Sequence, residues 1–379
     1  MKVDPSRYLE FRRDLHRHPE LSNQEIETTR RIRDFLARDG LELQSFPDLN
    51  GGFVRINSGH ARTLCLRADI DALPMTEQTG APYASVHEGV MHACGHDMHT
   101  AVAAGVACEL NRVKDQLKCN IVVLFQPAEE ANPRGGARPV TETGFLEQQH
   151  IDEMYGMHMW PSLPVGDVEL RPGAIMAASD RFHIEVHGLA AHVAEPHLGV
   201  DAILIGSEID CALVQKLRRE VNPFDSVSIA VGSFQSFGRY NVVCDHVALD
   251  GTVRTIREET RRYLHKRIQE IPQQIAASYG GQAQVTIQMG YGVLNNSPEL
   301  FRRFSEHAIQ LLGREHVHTD IHPSLIGEDF YYFSQQVPSL YFHIGCEAEY
   351  PLHNNSFLPN EKALDVGIDL MTDYFLAQS

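Results

Sequence analysis

Three observations in this 379-residue sequence predict an α/β fold interrupted by a separate α+β insertion. Up to about residue 178, short apolar runs alternate with helical stretches, the order of a sheet layered with helices. From about 179 to 289 the elements read β-α-β-β-α-β, the order of a ferredoxin-like unit, and after 290 helix and strand alternate again. Length is the third: at ~100–200 residues per domain, such a chain holds two. The expected division is 1–178 plus 290–379 for the larger domain and 179–289 for the insertion.

Taken in order, MKVDPSRYLEFRRDLHRHPE reads as a charged helix, without the unbroken apolar core of a signal peptide. Ser22 and Glu25 have the spacing of a capping box for a helix running to about Arg38. Ile26, Ile32, Phe35 and Leu36 form its apolar face, and Gly40 fits its stop. Strands are expected at 42–47, 52–56 and 63–68. The Ala-rich stretch 97–113 carries Val102, Val106 and Leu110 at helical spacing. CNIVVLF at 119–125 is an unbroken apolar run, as for a strand covered on both faces. In the insertion, Phe182, Ile184 and Val186 alternate with polar neighbours, the mark of a half-exposed antiparallel strand. A helix near 199–219, strands near 227–231 and 246–253, a helix over 258–279 and a strand at 283–289 follow. SLYFHIG at 339–345 is a second buried strand.

Composition narrows the function classes. With 43% hydrophobic and 22% charged residues, the chain is neither disordered nor fibrous. Its 33 basic and 50 acidic side chains give a formal charge of −17, which repels nucleic acid and anionic membrane surfaces alike. No apolar run approaches the ~20 residues of a membrane span. Seven scattered cysteines, an odd number, do not make a secreted disulfide framework, so a cytoplasmic location is expected.

Histidine is abundant, at 21, and densest in Met91-His92-Ala93-Cys94-Gly95-His96-Asp97-Met98-His99, just before a helix. Cys94 and His96, two apart in extended chain, can point to one side and share a metal. Glu129 and Glu130 follow VVLFQPA, His158 follows MYGM, and His353 lies in Pro-Leu-His-Asn-Asn beyond the late strand. Carboxyl ends of strands are where open α/β sheets place their sites. Each piece alone has an ordinary explanation: packed histidines, a solvated glutamate pair, a Cys-x-His too short for a zinc signature. Composition and spacing go no further than a candidate metal site.

The motifs carry the argument further. RRDLHRHPELS at 12–22, RADIDALPM at 67–75, HACGHDMHTA at 92–101, FQPAEE at 125–130, GMHMWPSLPVG at 156–166, GLAAHVAEPHLGVDA at 188–202, LDGTVRT at 249–255, GEDF at 327–330 and PLHNNSF at 351–357 occur in order. Together they resemble the M20 metallopeptidases, in the aminoacylase-like branch of bacterial amidohydrolases and plant indole-acetyl-amino-acid hydrolases. The resemblance implies a mixed-sheet catalytic domain of zinc-peptidase type with an inserted ferredoxin-like dimerisation domain. It implies metal ligation by Cys94, His96, Glu130, His158 and His353 and two divalent ions per subunit, zinc first and manganese, cobalt or nickel as alternatives. A metal-activated water would attack an amide with Glu129 as general base, and Asp69 would orient a ligand. His192 matches a histidine that in dimeric relatives reaches the other subunit's site, where it would steady the oxyanion. Asn241 and Arg254 match positions that bind the substrate's α-carboxylate.

The implied reaction is hydrolysis of a small N-acyl-L-amino acid to a carboxylate and a free amino acid, by a homodimer joined through the insertion. N-acetyl-diaminopimelate deacetylation, dipeptidase or carboxypeptidase activity, and a non-catalytic metal-binding module are the alternatives. Glu129 argues against the last, because a binding module needs no base beside a complete ligand set. Leu189-Ala190-Ala191 stands where the family usually has Lys-Gly-Gly, Cys244 where it has proline, and Asn132-Pro133-Arg134 follows the glutamate pair. These departures leave the ligands and the base in place and bear on the acyl group.

Overall fold

The computed structural model describes residues 5–378 and divides into two compact units. One comprises the chain up to Ile175, Asn295–His322 and everything from Asp329 on; the other comprises Met176–Leu294 and Pro323–Glu328. The return of Pro323–Glu328 to the second unit has no signal in the sequence pattern.

The first unit is built on a seven-stranded mixed sheet. Its order is Gly52–Ile56, Asn120–Gln126, Thr63–Asp69, Glu153–Trp160, Ser339–Gly345, Val168–Glu169 and Val317–His318. The four strands from Asn120–Gln126 to Ser339–Gly345 run parallel, with Leu64 opposite Ile121 and His158 opposite His343. Three of them are buried at every residue, which is why they read as apolar runs rather than alternating ones. The helix His96–Arg112 lies in the core almost throughout its length. At Gly105 a Cβ would come within 2.5 Å of Ile368 on the C-terminal helix Ala363–Ala377, so the two helices can meet this closely only over glycine.

Two local expectations fail here. The second helix spans Ile26–Ala37 with Glu25 at its N-cap, yet neither Ser22 nor Glu25 caps it. The Ser22 hydroxyl donates to Asp71 at 2.7 Å, Glu25 accepts from Ala128 N–H and Asn50, and the Glu20 carboxylate takes the helix's first amides. Ile26 accordingly faces solvent instead of joining Ile32, Phe35 and Leu36. Residues 42–47 form no strand. Leu43 and Phe46 are buried, but only Gln44 pairs, through one bridge to Phe53, and Pro47 has no amide to extend it.

The second unit has its own hydrophobic core and a four-stranded antiparallel sheet ordered Gln282–Gln288, Ala178–His187, His246–Thr255, Val227–Ser236. This is the ferredoxin-like order with strands 4-1-3-2. Ile205 and Ile209 of the helix Ala202–Cys211 and Leu264 and Ile268 of Glu258–Ser278 cover one face, packing with Phe182, Ile184 and Val186. The helix expected over 199–219 starts later: Asp201 caps it, accepting from Ile203 N–H at 2.9 Å, and a π turn at Ala212–Lys216 interrupts it. Among the described residues no helix is long and apolar enough to cross a membrane.

Candidate metal centre

The parallel strands all end at one edge of the first sheet, and the segments leaving them converge. Asp69 closes its strand, Gln126 leads into Glu129 and Glu130, and His158 sits near the end of Glu153–Trp160. Cys94 and Gly95 form the entrance to His96–Arg112. Gly95, at φ 88°, makes the sharp turn that puts His96 on the first helical residue. His353 arrives on a loop whose amide donates to Ala93 O at 2.9 Å, and it adopts a left-handed φ of 61° that costs a non-glycine residue about 1–2 kcal/mol.

Donor atoms of Cys94, His96 and His158 lie within 4.8 Å of one another, as do those of Cys94, Glu130 and His353 and those of His96, Glu129 and Glu130. Cys94 is common to the first two groups. Its Sγ is 3.3 Å from His158 Nε2, and His353 Nε2 is 3.0 Å from Glu130 Oε1. The imidazoles of His96 and His158 are set by their other nitrogen. His158 Nδ1 donates to Met159 O at 2.7 Å, and His96 Nδ1 donates to Asp71 O at 2.9 Å and Oδ1 at 3.2 Å. In its neutral form each ring therefore keeps its lone pair on Nε2, the form in which histidine ligates.

The electrostatics fit a divalent cation. His96 Nε2 is buried without a hydrogen-bond partner, and Glu130 Oε1 is likewise shielded. Burial pushes the Cys94 thiol well up, and Glu130, Glu129 and Asp69 push it further. Burial and the neighbouring His99 hold His158 well below the usual imidazole range. Burial would also lower His96, but Asp69 and Asp71 outweigh it and raise the ring to about 10. Two glutamates and an aspartate crowded around a buried thiol repel one another; a divalent ion held there would offset that repulsion and favour the thiolate.

Three buried carboxylates hold the loop that carries the two glutamates. Glu25 accepts from Ala128 N–H at 2.8 Å, and Asp71 from Glu130 N–H at 3.0 Å. Asp329 accepts from Gly136 N–H at 2.9 Å and Ala137 N–H at 2.8 Å. Asp329 also takes Arg67 at 2.7 Å, and the same guanidinium reaches Asp69 at 2.7 Å and Gln126 at 2.8 Å. Arg67, Asp69, Gln126 and Asp329 have no exposed surface. Asp69 receives His99 Nδ1 at 2.6 Å, and His99 Nε2 accepts from Met159 N–H at 2.8 Å. The histidine that Asp69 holds is thus His99, whose nitrogens are both engaged, while Asp71 holds His96. Sequence reasoning passed over Asp71, His99, Glu25, Arg67 and Asp329. The i, i+2 carboxylates of RADID and the Asp of GEDF were the available signals.

The remaining expected site residues belong to the second unit. His192 and Asn241 are neighbours there: Val242 pairs with His192, and Val193 N–H donates to Asn241 O at 3.2 Å. Ala194 N–H donates to His192 Nδ1 at 3.1 Å, so the neutral ring carries its proton on Nε2. Arg254 is opposite Ser179 and Ser228, and burial together with Arg181 lowers its guanidinium. Asp180 does not neutralise it, being engaged by Arg261 and His265 at 2.7 Å each. An under-compensated, half-buried arginine suits an incoming anion.

Comparison with known proteins follows the same lines. The model of Peptidase family M20/M25/M40 matches residues 65–377. The chain is 39% identical to the N-acetyl-L-cysteine deacetylase of Bacillus subtilis, over 97% of this chain and 86% of that protein. It is 33% identical to the N-acetyldiaminopimelate deacetylase of Priestia megaterium, over 97% of both. A crystal structure described as a dinuclear metal binding peptidase from the M20 family, from Bacillus subtilis, superposes with a TM-score of 0.86 at 34% identity, covering 99% of this chain and 98% of that one. With the family model spanning most of its length and such relatives along nearly all of it, the chain belongs to peptidase family M20/M25/M40.

Proposed function

We propose that this protein hydrolyses the amide bond of N-acyl-L-amino acids, releasing a carboxylate and a free amino acid. The observation that carries the reading is the sharing of Cys94 by two ligand groups with Glu129 against the same atoms. Cys94, His96, Glu130, His158 and His353 would hold two divalent ions, and thiolate, imidazole and carboxylate donors suit zinc before manganese, cobalt or nickel. When bound, such ions polarise the scissile carbonyl and acidify a water. Glu129 takes the proton of the attacking water and passes it to the leaving nitrogen, while Asp69 and Asp71 fix the histidines around it. Arg254 and Asn241 would hold the substrate's carboxylate. The seven cysteines, none in a disulfide, suit a reducing, cytoplasmic setting.

The deacetylase relatives support acetyl as the acyl group, with N-acetylcysteine and N-acetyldiaminopimelate as the first substrates to try. The test is release of free amino acid from a panel of N-acyl amino acids, with and without chelator. Turnover that survives complete removal of metal would refute the reading.

Assembly adds a second prediction. His192 presents its Nε2–H from an exposed position in the insertion, and we assign it to the oxyanion of a substrate held by the partner subunit in a homodimer. Mixing inactive Glu129→Gln with inactive His192→Ala and letting subunits exchange should restore activity, because one site of the mixed dimer has both residues intact. No recovery despite proven exchange would place His192 within its own site or outside catalysis.

A further inference from the structure

The sheet face of the second unit that is turned away from its helices carries a separate histidine cluster. His183, Glu185 and His187 lie at i, i+2 and i+4 on the strand Ala178–His187 and therefore share that face. On the adjacent strand, His246 is directly opposite His187, and Asp250 opposite His183. Donor atoms of Glu185, His187 and His246 lie within 4.8 Å of one another. From these we propose a divalent metal site, distinct from the centre on the first sheet, made by Glu185, His187 and His246 and suited to zinc or a similar borderline ion.

The donor set is two imidazoles and one carboxylate, which with water gives zinc a common four-coordinate shell. Glu185 is already aimed between imidazoles: His246 Nε2 bonds one of its oxygens, and His183 Nε2 donates to the other at 2.8 Å. Asp250 holds the far side of His183, at 2.8 Å from Nδ1. On the other flank, His187 and Glu185 face Gln282 and Gln284, so no lysine or arginine of that strand competes for the carboxylate. His187 stacks on His246 at 4.8 Å, and Phe237 stacks on the other face of His246 at 4.5 Å. The ring of His187 makes no hydrogen bond among the described residues and is exposed, so it can turn out of the stack. Tetrahedral zinc places its ligand atoms about 3.3 Å apart, so the hydrogen-bonded Glu185–His246 pair must part slightly while His187 closes on it by up to about 1.5 Å. An ion here would clasp the two central strands of the sheet, and it would bind only with the rings neutral, weakening as pH falls.

The test uses the full-length, metal-loaded protein. Zinc is added by equilibrium dialysis to the wild type, to His187→Ala/His246→Ala, and to Glu185→Gln, which keeps the side-chain shape but loses the charge. The expected result is that the wild type takes up one more zinc per chain than the double variant, that Glu185→Gln binds that ion at least tenfold more weakly, and that added zinc raises Tm in the wild type alone. Circular dichroism and retained hydrolytic activity show that the variants are folded. Equal zinc content in wild type and double variant overturns the site. Because the deciding quantity is a difference of one ion, the result stands whether the other centre holds two ions, one or none.

Discussion

Glu129→Gln yields folded, metal-loaded protein whose turnover falls by about 10²–10⁴-fold, roughly 3–5 kcal/mol of barrier. The amide matches the carboxylate in shape, so the loop and its clamps at Ala128, Glu130, Gly136 and Ala137 remain. What is lost is the ability to take a proton from water. Glu129 is buried beside Glu130 and His96, so no solvent carboxylate can stand in for it. KM should change little, since Glu129 is assigned no contact that binds substrate in the ground state. Cys94→Ser should behave differently, losing metal along with activity, because a hydroxyl ligates borderline ions far more weakly than a thiolate. Metal content by elemental analysis separates the two cases, and turnover of Glu129→Gln within threefold of wild type would remove it from the mechanism.

Asp329→Ala carries the largest expected cost in stability. Asp329 balances Arg67, which is fully buried, and also pairs the amides of Gly136 and Ala137. Removing one partner from a buried, hydrogen-bonded charge network costs about 3–5 kcal/mol, because the remaining charge stays desolvated. For a domain of this size that corresponds to a fall in Tm of roughly 6–20 °C. Asp329→Asn keeps an acceptor for the loop amides and should lose less stability than alanine. Calorimetry showing both variants within 2 °C of wild type would mean that Asp69, which also holds Arg67, balances it alone.

Legibility in the sequence followed the range of the forces involved. The strands at 63–69, 120–126 and 339–345 could be read because burial on both faces forces unbroken apolar runs. Cys94, His96, Glu130, His158 and His353 were identified through motif resemblance, and the parallel order of the strands brings them together. Glu25 and Asp329 were not legible, because what they bind, Ala128 and Gly136, lies 103 and 193 residues away. Ser22 and Glu25 show the converse error. Their spacing is a good local helix signal, but Asp71 and Ala128 offered hydrogen bonds shielded from water, worth more than an exposed cap.

The loop from Ala128 to Ala137 belongs to no strand through its glutamates, yet the carboxyl oxygens of Glu25, Asp71 and Asp329 hold its backbone on both sides of them. Bonds to an ionised carboxylate, as at Asp71, are about twice as strong as neutral ones. The ordering entropy of the glutamate pair is therefore spent once, when the chain folds. In the proposed hydrolysis a site built this way would work by preorganisation: its dipoles would need little reorientation as charge develops, and the reorganisation energy would stay low. The same rigidity leaves shape discrimination among acyl groups to residues outside the clamped segment.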